Sequence, residues 1–102
     1  NTLVRGTAMS AAALLTAAGT GVRQISTNSV MMFHEFTTEM FGKSGDIVAT
    51  SDHIKDLQKQ SNKWLASVTN KTEKWWATST VKDLYLSPNE CLKMGIVDKI
   101  VD

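Results

Sequence analysis

Charge of one sign is missing from this chain. Eleven Lys and Arg face ten Asp and Glu, a formal net charge of +1. No basic footprint for nucleic acid or for an acidic membrane surface is therefore expected. Cysteine occurs once, as Cys91. That excludes an internal disulfide and a cysteine-based zinc cluster, and it fits a reducing, cytoplasmic setting. No apolar run approaches the roughly 20 residues of a membrane-spanning helix. The apolar stretch Ala8 to Ala18 lacks the charged flank and cleavage pattern of a signal peptide. No methionine precedes Asn1, so the chain is expected to come from within a longer protein. Internal repeats and low-complexity linkers are absent. What remains is an ordinary globular composition, 42% hydrophobic and 21% charged over 102 residues, which suits one small domain, residues 1–102.

The order of elements is legible from local pattern. Thr2 to Arg5 reads as the end of a buried strand, broken at Gly6. Ser10 to Ala18 reads as a helix of small residues, stopped by Gly19-Thr20-Gly21. Val22 to Ile25 is a short strand, Ser26 to Ser29 a turn, and Val30 to Phe33 a continuous apolar run that suits a fully buried strand. The pattern loosens from Glu35 to Ser44. Asp46 to Thr69 is the longest helical stretch. Ile47, Ile54, Leu57, Trp64 and Val68 fall on one stripe, expected to be buried, and Asp52, Lys55, Lys59 and Lys63 lie opposite, on a face expected to be solvated. Asn70 to Thr80 is a second helix with Trp75 and Trp76 on it, and Val81 to Leu86 is extended. Ser87-Pro88-Asn89-Glu90 is a helix start: serine as cap, the one proline of the chain in the first turn, and glutamate three residues on. Ile96 to Val101 closes the chain as a strand with Asp98 in its middle. Alternation of strands and helices places the chain in the α/β class with a mainly parallel sheet.

Three residues far apart could carry chemistry. Ser10 stands where an extended run meets a helix. Such a turn projects the hydroxyl outward and aims the first free N–H groups of the helix at a developing oxyanion. A plain helix cap is the other reading of the same serine. His34 ends the buried strand, where a catalytic side chain could be held rigidly over a cleft or a structural histidine could be satisfied. His53, inside the long helix among polar residues, is expected to face solvent. Asp83 sits in an apolar extended piece, where an unpaired buried carboxylate would be costly and a histidine partner would relieve that cost. Pattern alone gives Ser10, His34 and Asp83 as one candidate arrangement.

An ordered series of motifs bears on that choice. Gly6-Thr7-Ala8-Met9-Ser10-Ala11 resembles a Gly-x-Ala-x-Ser nucleophile turn, and Gly21-Val22-Arg23 the Gly-x-Arg that follows it. Asn28-Ser29 with Val30 to His34 resembles an Asn-Ser, apolar strand, histidine block. Gly45-Asp46-Ile47 stands at the entry to a long helix. Lys82 to Ser87, Glu90 and Gly95-Ile96-Val97-Asp98 resemble a closing segment. Together these resemble the proteolytic subunit of the ATP-dependent Clp protease over essentially the whole chain, as its C-terminal catalytic half. The resemblance implies a crotonase-like fold of stacked ββα units with a long handle helix from Asp46 to Thr69. It implies a serine endopeptidase in which Ser10 attacks, His34 is general base and acid, Asp83 orients His34, and the N–H of Ala11 is one oxyanion donor. It implies stacked homo-oligomeric rings enclosing the sites, unfolded polypeptides as substrates, an unfoldase ATPase as partner, and no metal or cofactor.

Four departures from the family pattern accompany the resemblance. The N-terminal half, with its second oxyanion donor, is absent, so weak or no activity is expected of this chain alone. Lys82 stands in place of the usual arginine and cannot offer its bidentate fork. Glu35-Phe36 replace Gln-Pro after the histidine, and Cys91 replaces alanine, with a packing role expected. Divergence of this size suits a phage-encoded relative. A phage head-maturation protease of the Clp type and a catalytically silent ring subunit are the alternatives. An acyl-CoA hydratase of the same fold is disfavoured by the Ser10 and His34 blocks, and a peptidase with a lysine base by His34.

Overall fold

In the computed structural model, residues 1–36 and 42–102 are described. Part of the loosened stretch between Glu35 and Ser44 lies outside the described residues. The elements run β1 (Thr2–Val4), β2 (Thr7–Met9), α1 (Ala11–Ala17), β3 (Arg23–Ser26), β4 (Val30–Phe33), α2 (Ser44–Val68), α3 (Glu73–Ser79), β5 (Leu84–Leu86), α4 (Pro88–Lys93) and β6 (Lys99–Val101). A strand–strand–helix order thus occurs twice before the closing β5–α4–β6. The expected single, mainly parallel sheet is corrected to two three-stranded sheets. One, β1-β3-β6, is all parallel; in the other, β2-β4-β5, β2 runs parallel to β4 and β5 antiparallel to it. The class is mixed α/β.

Each strand pair steps from one sheet to the other through a tight crossing. At the first, Gly6 takes φ +100°, a conformation that glycine adopts without a Cβ penalty. At the second, Ser26 to Ser29 turn, with the Ser29 N–H donating to the Ser26 carbonyl at 3.1 Å. The Ser29 hydroxyl ties the crossings together: it accepts the Gly6 N–H at 2.9 Å and donates to the Val4 carbonyl at 3.2 Å. At the far end of the all-parallel sheet, Arg23 and Asp98 meet as a fork, with Nη2 to Oδ1 at 2.8 Å and Nε to Oδ2 at 3.1 Å. This holds the Asp98 carboxyl down to about 2, chiefly through the guanidinium hydrogen bond. Asp98 therefore precedes β6 and is not the middle of a strand; Ile96 and Val97 before it are buried core.

β4 is the centre of its sheet, and Met31, Met32 and Phe33 are all buried. That is why it reads as an unbroken apolar run and not an alternating one. Trp76 on α3 is fully buried and meets Phe33 edge-on with centroids 5.1 Å apart. Its indole N–H donates to the Thr69 hydroxyl at 3.1 Å, satisfying the polar end of a large apolar body. Cys91, also fully buried, packs beneath Leu86; burial pushes its thiol up to about 12. It is a small hydrophobe here, as expected.

α1 is short, and its small residues let Ala13, Thr16 and Ala17 sit close against the sheets while Leu15 faces out. α2 is the opposite case. Its 25 residues extend about 37 Å at 1.5 Å per residue, and the molecule measures 51 × 24 × 23 Å. Only Asn62 and Leu65, near its C-terminal end, are buried. The expected buried stripe is corrected: Ile47, Ile54, Leu57, Trp64 and Val68 are half-buried. The expected polar face, with His53 beside it, is exposed.

Candidate active site

The second sheet collects the chemistry at one end. Ser10 is the first residue after β2, and its N–H donates to the Met32 carbonyl of β4 at 2.9 Å. His34 is the first residue after β4. Asp83 immediately precedes β5, which runs the other way. Phe33 pairs with Leu84, so one further step of that register sets His34 opposite Asp83.

Ser10 has φ 57° and ψ −118°, the sole positive φ of a non-glycine residue among the described residues. Such a conformation costs on the order of 1–3 kcal/mol and persists only where the surroundings impose it. Here they do: the Ser10 N–H is fixed to β4 and its carbonyl accepts the Leu14 N–H at 3.1 Å as the first helical bond. The side chain caps nothing. The cap reading of this serine therefore fails on geometry, although Ser10 occupies the cap position. The hydroxyl is exposed at the mouth of α1, beside the Ala11 N–H, one of the first-turn donors that have no intrahelical acceptor.

Ser10 and His34 line one small cavity with Leu14, Phe33, Phe36, Gln58, Ser61, Asn62, Leu65 and Thr80. Its volume is about 20 Å³, enough for a single water molecule. Asp83 is exposed and outside this lining. Among the described residues no hydrogen bond joins Ser10, His34 and Asp83 to one another. His34 Nδ1 instead contacts the Glu35 carbonyl, and the Glu35 N–H donates to the Thr80 carbonyl at 3.1 Å. A second, open apolar trough of about 420 Å³, sharing Leu14 with this cavity, is walled by Ala11, Leu14, Leu15, Ala18 and Trp64. Among the described residues no group of three or more His, Cys, Asp or Glu could hold a metal ion, and no helix is long and apolar enough to cross a membrane.

Gln58, Asn62 and Thr80 were not singled out by sequence pattern. Gln58 and Asn62 lie one residue off the apolar stripe of α2, and nothing local marks them as facing a cavity made by strands far away in the chain.

Ser10 is thus a strained serine at a strand-to-helix turn, and it shares a cavity with a histidine at the neighbouring strand end on a mixed α/β scaffold. A sequence profile of the Clp protease family matches residues 1–102, and the chain belongs to that family. It is 33% identical over 103 residues, all of this chain and 53% of the relative, to the ATP-dependent Clp protease proteolytic subunit 1 of Prochlorococcus marinus strain MIT 9312. It is 32% identical, over all of this chain and 52% of the relative, to the proteolytic subunit 2 of Synechococcus sp. strain CC9605. The chain spans about half the length of the curated relatives it matches.

Proposed function

We propose that this chain supplies the catalytic portion of a Clp-type serine endopeptidase with a Ser10–His34–Asp83 mechanism. The observation that carries the reading is the backbone of Ser10: a helix-cap position whose serine is held at φ 57° and caps nothing, beside a histidine in the same cavity. Ser10 Oγ attacks the scissile carbonyl while His34 takes the hydroxyl proton. The oxyanion accepts the Ala11 N–H, His34 gives its proton to the leaving amine, and water resolves the acyl-enzyme by the same steps. Asp83, one register step across from His34, holds the imidazolium in the reacting state. The two ββα passes and the projecting α2 support the crotonase-like reading with α2 as handle. The relatives are named proteolytic subunits of an ATP-dependent protease, which supports a subunit that works in an assembly with an ATP-using partner; stacked homo-oligomeric rings, unfolded polypeptide substrates and an unfoldase as that partner complete the proposal.

A fluorophosphonate probe applied to the full-length protein tests this directly. Labelling that disappears in Ser10→Ala supports the peptidase. A full-length protein that takes no label overturns it and leaves the silent ring subunit.

A further inference from the structure

The segment that follows His34 is gripped from two sides. The Glu35 N–H is held by the Thr80 carbonyl at the end of α3 (3.1 Å), and the Phe36 N–H donates to Gln58 Oε1 on α2 at 2.7 Å. Gln58 is itself fixed, because its Nε2 donates to Oδ1 of Asn62 at 3.0 Å, and Asn62 is only 5% exposed. With the amide nitrogen committed to Asn62, the oxygen of Gln58 is the atom turned to the backbone.

The Phe36 N–H and the Glu35 carbonyl belong to one peptide unit. A trans peptide is planar, and its N–H and C=O point in opposite directions. Fixing the N–H on α2 therefore aims the carbonyl the other way, and what it meets is His34 Nδ1. A carbonyl oxygen can only accept, so the ring proton of a neutral imidazole sits on Nδ1. Nε2 is then left with its lone pair, the form a general base must have.

We infer that Gln58 is a positioning residue that sets the tautomer of His34 through the single peptide plane between Glu35 and Phe36. The inference rests on the peptidase reading for its consequence in catalysis, but not for the tautomer itself. It explains how His34 is held in base-ready form in a structure where Asp83 does not bond it.

Ring-nitrogen NMR of full-length protein labelled with ¹⁵N-histidine tests the relay, with the His34 signal assigned by its loss in His34→Gln. At a pH where the imidazole is neutral, the wild type is expected to show the Nδ1–H tautomer. Gln58→Ala is expected to shift His34 toward the Nε2–H form and to slow fluorophosphonate labelling of Ser10 on the order of tenfold, the loss typical when the partner orienting an imidazole is removed. Gln58→Glu, which keeps an acceptor for the Phe36 N–H, is expected to retain the Nδ1–H form. A wild-type His34 in the Nε2–H form overturns the inference, as does an unchanged tautomer in folded Gln58→Ala. If Gln58→Ala fails to fold, the wild-type spectrum and Gln58→Glu still decide. A Gln58-dependent tautomer in a protein whose Ser10 takes no label upholds the relay and refutes the peptidase.

Discussion

Among the described residues two helices, α1 and α4, have a serine at the N-cap, and the two starts use it in opposite ways. Ser87, before α4, has φ −71° and ψ 164°. Its hydroxyl accepts the Glu90 N–H at 3.2 Å, and the Glu90 carboxylate accepts the Ser87 N–H at 3.1 Å in return, a complete capping box. Ser10, before α1, has φ 57° and ψ −118° and makes no cap. One serine satisfies the backbone and lowers the energy of its turn. The other is held in a conformation that raises it and leaves the hydroxyl and the first helical N–H groups to the cavity. The same residue at the same helical position is structural in one place and chemically exposed in the other. The difference lies in the backbone that the sheet imposes.

The comparison can be broken most sharply by exchanging side chains for alanine. Ser10→Ala is expected to lower peptidase turnover and fluorophosphonate labelling by about 10³-fold or more, with little change in thermal stability. Ser87→Ala is expected to leave labelling near the wild-type rate. Equal losses from both would mean that Ser10 serves only its helix.

Stability should reverse that order. Ser87→Ala removes a working cap and is expected to cost about 1 kcal/mol in chemical denaturation. Ser10→Gly removes strain of about 1–3 kcal/mol against a glycine entropy cost of about 0.5–1 kcal/mol. It is expected to stabilise by roughly 1 kcal/mol, and a destabilised Ser10→Gly would show that the turn is unstrained.

The smallest effect distinguishes the two starts by pH. Hydrogen bonds from Ser87, the backbone one foremost, hold the Glu90 carboxyl below its usual range. Because the folded-state value is depressed, the cap's contribution is complete above the ordinary glutamate range and is lost as pH falls through the depressed value. Amide shifts of Glu90 and Cys91 are expected to move in that acid window. Those of Ala13 and Leu14, whose helix start has no carboxylate, should stay still.

Much of this was readable in the residues. The Ser87 box, the buried run of β4, the polar face of α2 and the glycine stop after α1 are local patterns, and the structure has them within a residue or two. β2 was missed, since three residues, Thr7 to Met9, give too short an alternation to stand out from the turn they lead into. The antiparallel return of β5 and the Arg23–Asp98 fork, 75 residues apart, are tertiary and leave no local trace. For the candidate site, residue type and spacing offered Ser10, His34 and Asp83 only as one arrangement among several, and resemblance to a family selected it. Whether Ser10 caps its helix is a matter of two backbone torsions, which no residue type announces. Gln58 was illegible because its importance runs through a peptide plane and not through its own chemistry.

The Ser29 clasp between the two crossings has a consequence for the order in which the chain folds. It joins residues 23 apart, whereas the Arg23–Asp98 fork that brings in β6 joins residues 75 apart. Closing the longer loop costs about 1 kcal/mol more chain entropy. Residues 1–33 are therefore expected to dominate the folding nucleus, with high φ-values at Ile25 and low ones at Ile100; the reverse pattern would refute this. The strained serine would then be set in place early, before the helix that carries Gln58 arrives to meet it.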